Sequence, residues 1–382
     1  MTRWGKWIAI TPLVFMMTVA ASAHAGKPKP KIIWSENNSS LVLFGDMRFR
    51  HETDSEVHDS KPERNRDRDR LRLRLGLTYN LNEVVSVGAR LATEADDDHS
   101  TNHNFGIIKG GAAESAFGLD KAFIKINLTP AWLWMGKNRN HTWDVTHLTW
   151  DPDLIPEGIA MGGEFGDTYK ANIFAGYYLL NETGYDDMDD TMLAYQATFE
   201  YVRNYSIKVA VGGYALNDRA PTEGEDPFPV PGGTASYNHA MVELGGKELP
   251  LSPVIGAQFV SSNVDIEKHI GDGGKDSDRQ ATVVYVKVKR EPVSVMFSVW
   301  DVGYAGDTAL GEFNADEFAK TGNFTGWILS VKGEVYKDFS IEAKYFQQEV
   351  KNDVINPPFA GDAQLGKGNK RTRTQLNFVV KF

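Results

Sequence analysis

The chain has 382 residues, no cysteine, a formal charge of −10 and 41% hydrophobic residues. That apolar and aromatic content excludes a disordered chain, and the missing cysteine excludes disulfide scaffolds, thiolate metal sites, c-type haem attachment and cysteine nucleophiles. Net acidity argues against general nucleic-acid binding, and a mean hydropathy of −0.37 argues against a helical membrane protein.

One long apolar run exists, at the N-terminus. Arg3 and Lys6 precede the apolar stretch Trp7 to Ala20, and Ala21-Ser22-Ala23 and Ala23-His24-Ala25 are small-x-small cleavage candidates. This predicts a secretory signal peptide over residues 1–25. An uncleaved anchor is the alternative, opposed by the shortness of the run and by Pro12. Removing 1–25 takes away two basic residues and no acidic one, so the mature charge becomes −12. Residues 26–40, with Lys27, Pro28, Lys29, Pro30 and Lys31, read as a periplasmic lead-in.

From Leu41 to Phe382 segments of about ten residues alternate apolar and polar side chains, the period of a strand. Leu71, Leu73, Leu75, Leu77 and Tyr79 alternate with Arg70, Arg72, Arg74, Gly76 and Thr78. Seven short connections fall at Asn80–Glu83, Thr129–Ala131, Gly166–Asp167, Val202–Tyr205, Glu248–Ser252, Arg290–Pro292 and Lys337–Asp338. Eight long polar ones fall at 53–66, 95–116, 140–157, 181–190, 217–235, 263–277, 303–322 and 350–368. Fifteen connections predict sixteen strands in an all-β, closed, antiparallel up-and-down transmembrane barrel over residues 41–382, with both termini periplasmic. Without the hairpin of Ala131–Arg139 and Gly158–Phe165 the count is fourteen. Tyr79, Tyr201, Tyr205, Tyr336, Phe339 and Phe382 stand beside the short turns as an aromatic girdle.

The last strand, Gln375 to Phe382, alternates apolar residues and ends in Phe, and so resembles the strand that the outer-membrane barrel assembly machinery reads. Three further blocks resemble the bacterial putative-porin family: Phe44-Gly45-Asp46-Met47-Arg48-Phe49-Arg50, the run from Asp67 to Gly76, and Leu119-Asp120-Lys121-Ala122-Phe123. Met135-Gly136-Lys137-Asn138 is similar to a family strand in which Arg-Gln usually stands where Lys137-Asn138 stand here. The resemblance implies an outer-membrane diffusion porin in contact with lipid and lipopolysaccharide, with a homotrimer as the family's usual assembly.

Alternation also assigns faces, because a charge on the lipid side costs ~2–4 kcal/mol near the bilayer midplane. Arg48, Arg50, Arg70, Arg72, Arg74, Arg90, Arg371 and Arg373 then point inward on four neighbouring strands and form one basic wall, with Asp46, Glu52, Glu94 and Lys381 on the same face. Such a wall concentrates anions. The alternative is that these arginines pair with acids and keep the interior ordered. The loop 140–157 carries Trp143, Val145, Leu148, Trp150, Leu154 and Ile155, too many large apolar side chains for a loop in water. It is expected inside the barrel, with Trp143 or Trp150 buried and at least one of the constriction acids Asp144, Asp151, Asp153 and Glu157 facing the arginines; packing on its neighbours or latching a subunit partner is the alternative.

The acidic runs Asp96–Asp98, Asp186–Asp190, Glu223–Asp226 and Asp272–Asp278 read as solvated surface, with weak divalent-cation bridging as the alternative. His99 and His103 share a polar loop that does not hold a ligand spacing. No nucleophile elbow or phosphate loop is present, and neither a catalytic centre, a cofactor, a metal nor nucleic acid is expected. A lipid-acting barrel hydrolase and a blocked adhesion barrel are the rival functions to a passive channel for small hydrophilic solutes or ions.

Overall fold

Strands that alternate polar and apolar faces need a hydrogen-bonding neighbour on both edges, and in a bilayer only closure supplies it. The computed structural model describes residues 31–36, 38–57, 63–93, 101–105, 117–181, 189–218, 233–267, 274–306, 322–353 and 366–382. The signal peptide, much of the lead-in, Glu94, His99 and the acidic runs at 96–98, 186–188 and 223–226 lie outside the described residues.

Sixteen barrel strands follow one another among the described residues: β1 (Ser39–Val57), β2 (Arg64–Asn80), β3 (Val85–Thr93), β4 (Phe117–Leu128), β5 (Ala131–Lys137), β6 (Glu157–Phe165), β7 (Tyr169–Asn181) and β8 (Asp190–Val202), then β9 (Tyr205–Asp218), β10 (Gly233–Gly246), β11 (Val254–Ser262), β12 (Gln280–Arg290), β13 (Val293–Val302), β14 (Phe324–Tyr336), β15 (Phe339–Val350) and β16 (Lys370–Lys381). Each pairs antiparallel with the next. β16 returns to β1, from Lys370 opposite Val57 to Lys381 opposite Asp46, and the ring is closed. The hairpin β5–β6 forms, so the count is sixteen and not fourteen.

The seven tight turns stand where the sequence puts them. The first long loop is shorter than 53–66, because β1 runs on to Val57 and β2 already begins at Arg64. Glu56 lies opposite Arg64 there, and Asp54 opposite Arg66, so charge pairing rather than apolar alternation carries these strand ends. Two short segments add to the sheet. Lys31–Glu36 pairs with the part of β1 that β16 does not reach, and His103–Asn104 pairs with Leu71 and Arg70 above the end of β3.

The two faces separate cleanly. Leu43, Met47, Leu75, Leu77, Val87 and Leu91 are exposed on the outside, whereas Arg50, Glu52, Arg70, Arg72 and Ser86 are buried on the inside. At the turn ends the outer rings gather, with Tyr169 5.1 Å from Tyr201 and Tyr201 5.9 Å from Tyr205.

The seam is packed most tightly around one small residue, Gly45. Gly45 exchanges backbone hydrogen bonds with Phe382 at 2.8 and 3.1 Å, and a Cβ on Gly45 would stand 2.5 Å from the Phe382 ring and 2.6 Å from the Arg74 carbonyl oxygen. The variant Gly45→Val is therefore expected to lose about 1–3 kcal/mol through overpacking at the seam. A lower midpoint for loss of the compact, heat-modifiable form on gels checks this.

Candidate functional site

Register creates an electrostatic problem on the inner face and neighbouring acids solve it. Arg48 lies opposite Arg72 and Arg50 opposite Arg70. Like charges in cross-strand pairs repel, so carboxylates must stand close by. Asp46 accepts from Arg72 at 3.0 Å and from Arg74 at 2.8 Å. Glu52, 1% exposed, accepts from Arg68, takes a bond from the Gln375 amide at 2.8 Å and stands 3.8 Å from Arg50. Asp54 accepts from Arg371 at 2.9 Å and from Arg373 at 2.6 Å. Arg371 also lies 3.6 Å from Glu56, and Arg50 donates to Asn377 at 2.7 Å. The arginines of β1, β2 and β16 thus interleave with acids in one ladder.

Arg90 stands apart from that ladder. A bulge in the β3–β4 pairing leaves Asp120 as an extra residue between Leu119 and Lys121, and its carboxylate accepts from Arg90 Nε.

The loop between β5 and β6 lies against the inner wall. Trp143 exchanges backbone bonds with the Gln196 side chain at 2.7 and 3.0 Å, Thr142 meets the Tyr214 hydroxyl at 2.9 Å, and Thr146 bonds Gln258. These partners sit on β8, β9 and β11. Leu148 is buried in an apolar cluster with Val260, Val283, Trp300, Phe324 and Phe346. Trp150 stacks on Tyr214 at 5.8 Å and donates to the Leu154 carbonyl. Trp143 is half-buried beneath the Lys208 ammonium, 4.2 Å from its ring centre. His141 accepts from Trp134 Nε1 at 3.0 Å; burial, with Arg139, Lys125 and Lys121 nearby, pushes its imidazole down to about 3, so it stays neutral.

The loop's four acids have different fates. Asp153 crosses to the ladder, where Arg72 and Arg74 reach it at 3.2 and 3.1 Å and Arg48 at 3.9 Å. Asp151 shapes the turn that presents it, accepting from the Asp153 amide at 2.7 Å. Asp144 is consumed within the loop by the amides of Thr146, His147 and Thr149. Glu157 bonds Lys137 at 2.8 Å beside the exposed Met135 and Ile159, on the outer face and away from the arginines.

Arg68, Asp54, Glu56, Asn102 and the amides Gln375 and Asn377 join the site beyond the residues expected from the sequence. Arg68, Asp54 and Glu56 keep the phase of Arg70 to Arg74 and of Asp46 to Glu52, so the period-two pattern continued past its apolar half would have found them. Asn102, which bonds Arg48, comes from a loop and left no such signal. The acids of 274–278 are partly structural: Asp278 accepts from Asn352 at 2.8 Å. Among the described residues no group of three or more His, Asp or Glu side chains is placed to hold a metal ion.

Comparison with known proteins bears on the fold. The sequence model of the putative porin family matches residues 50–218. No curated protein matches the chain in sequence. Among solved structures, Salmonella typhi OmpF in complex with daunomycin aligns over 90% of this chain and 98% of its own, with 10% identity and a TM-score of 0.54. The high-pH structure of Pseudomonas putida OprB aligns over 89% of this chain and 94% of its own, with 8% identity and a TM-score of 0.55. At such identities the likeness is one of fold. The chain carries putative porin family sequence over residues 50–218, on the sixteen-stranded fold of an outer-membrane porin.

Proposed function

We propose that this barrel is a passive channel of the outer membrane for small hydrophilic solutes or ions, and that the β5–β6 loop sets its narrowest section against the arginine ladder. The observation that carries this reading is the path of that loop, from Gln196 and Tyr214 on one inner wall to Arg72 and Arg74 on the other. Family and fold point to a channel rather than an enzyme. The apolar outer face supports contact with lipid and lipopolysaccharide. Recognition of the strand ending at Phe382 by the barrel assembly machinery, assembly as a homotrimer, periplasmic termini and export by residues 1–25 belong to the same proposal.

A blocked barrel is the second reading. Several inward side chains are wholly buried, among them Gln375, Asn377, Val283 and Tyr178, each 0% exposed. Swelling of liposomes that contain the refolded full chain separates the two. Swelling in isosmotic solutions of small sugars supports the channel, and its absence with correctly folded protein supports the blocked barrel.

A further inference from the structure

The Asp153 carboxylate occupies an anion cradle, and we infer that this cradle is a binding site for small carboxylate solutes, which compete with Asp153 for it. The inference rests on the channel reading and adds a solute class to it.

Three guanidiniums converge on one point. Arg72 and Arg74 hold Asp153 at 3.2 and 3.1 Å, and Arg48 completes the group at 3.9 Å. Guanidinium is a planar fork whose geometry matches a carboxylate. Asp46 neutralises one of the three charges by accepting from both Arg72 and Arg74. Summed over these groups alone, the charge is +1 with Asp153 in place and +2 with it withdrawn. The cradle is mostly enclosed but reachable, with side-chain exposures of 9% for Arg72, 13% for Arg48 and 15% for Arg74. An anion meets strong charge there with little competing water.

Asp153 sits at the apex of a tight turn, between Pro152 and Leu154, held by the Asp151 side chain at 2.7 Å. The loop's anchors lie elsewhere, at Leu148 in its apolar cluster and Trp150 on Tyr214. Withdrawal of one carboxylate therefore leaves the loop docked. A side-chain carboxylate on a methylene is chemically an acetate, and the site's tenant reports the chemistry that fits it: a carboxylate on a small aliphatic group.

Planar-bilayer recordings of the full chain, at fixed ionic strength in potassium chloride with added potassium acetate, test this. In Asp153→Asn the cradle is vacated, and acetate is expected to reduce the chloride current saturably, at concentrations about tenfold lower than in the unchanged chain. Adding Arg72→Gln to Asp153→Asn should weaken that effect about tenfold again. Potassium fluoride, a monatomic anion, is the control and should not saturate. Open channels in which acetate acts no differently from fluoride would overturn the cradle while leaving the channel reading intact. Acetate block with equal strength in Asp153→Asn and in the double variant would also overturn it, because the site would lie elsewhere. Absence of current from both the unchanged chain and the variants, with compact heat-modifiable protein on gels, would sink the channel reading and the cradle with it.

Discussion

Replacing Arg48, Arg72 and Arg74 together by Gln is expected to shift the reversal potential in a tenfold potassium chloride gradient toward cations by tens of millivolts, against the ~59 mV ceiling for an ideally selective pore with a univalent salt. Several long connecting segments are acidic in sequence, and residues 26–382 carry a charge of −12, yet charge more than a Debye length of about 8 Å from a constriction is largely screened there. On the channel proposed above, what an ion meets at the narrowest section is the cradle. Its three guanidiniums outnumber Asp46 and Asp153, and the triple variant leaves only the two carboxylates. An unchanged reversal potential would mean that the field of this channel is set at another level.

The largest loss of stability from a single substitution is expected at Glu52. Its carboxylate is 1% exposed and stands among Arg50, Arg68 and Arg373, with Gln375 donating from the far side of the seam. Glu52→Gln keeps the shape and removes the charge that Arg50 and Arg68 face, while Arg373 keeps Asp54. Breaking a buried pair in this way costs about 3–5 kcal/mol. The β1–β16 pairing, where Gln375 lies opposite Glu52, should be the first to open. Unfolding midpoints in guanidinium chloride read the loss. Asp69→Asn, which removes the partner of His51 in an exposed outward pair, is the control and should change little.

Apolar alternation made the barrel legible, because each strand of Leu, Val and Phe must show one face to lipid. It stopped being informative where strands leave the apolar band. The outer ends of β1 and β2 carry Asp54, Glu56, Arg64 and Arg66, and their pairing rests on charges that a hydrophobic pattern does not register. The inward direction of the arginines was legible for the same reason as the lipid face. Their partners were only half legible: Asp46 and Glu52 share their strand, whereas Asp54 finds Arg371 and Arg373 across the closure seam, between positions more than three hundred residues apart. Loop 140–157 announced its burial through Leu148 and Trp150. Its composition did not distinguish its acids, because the difference lies in backbone geometry. Asp144 faces amides of its own loop, Glu157 begins a strand in the outward phase, and only Asp153 sits on a turn that reaches the arginines.

The claim that the β5–β6 loop governs passage is tested most directly by single-channel conductance. The full chain is compared with a variant in which residues 142–154 are replaced by a short Gly-Ser linker, both shown to be folded by heat-modifiable mobility. Discrete, ohmic steps are expected from the full chain and clearly larger steps from the shortened loop. Equal step sizes in the two proteins, or no conductance from either, would contradict it.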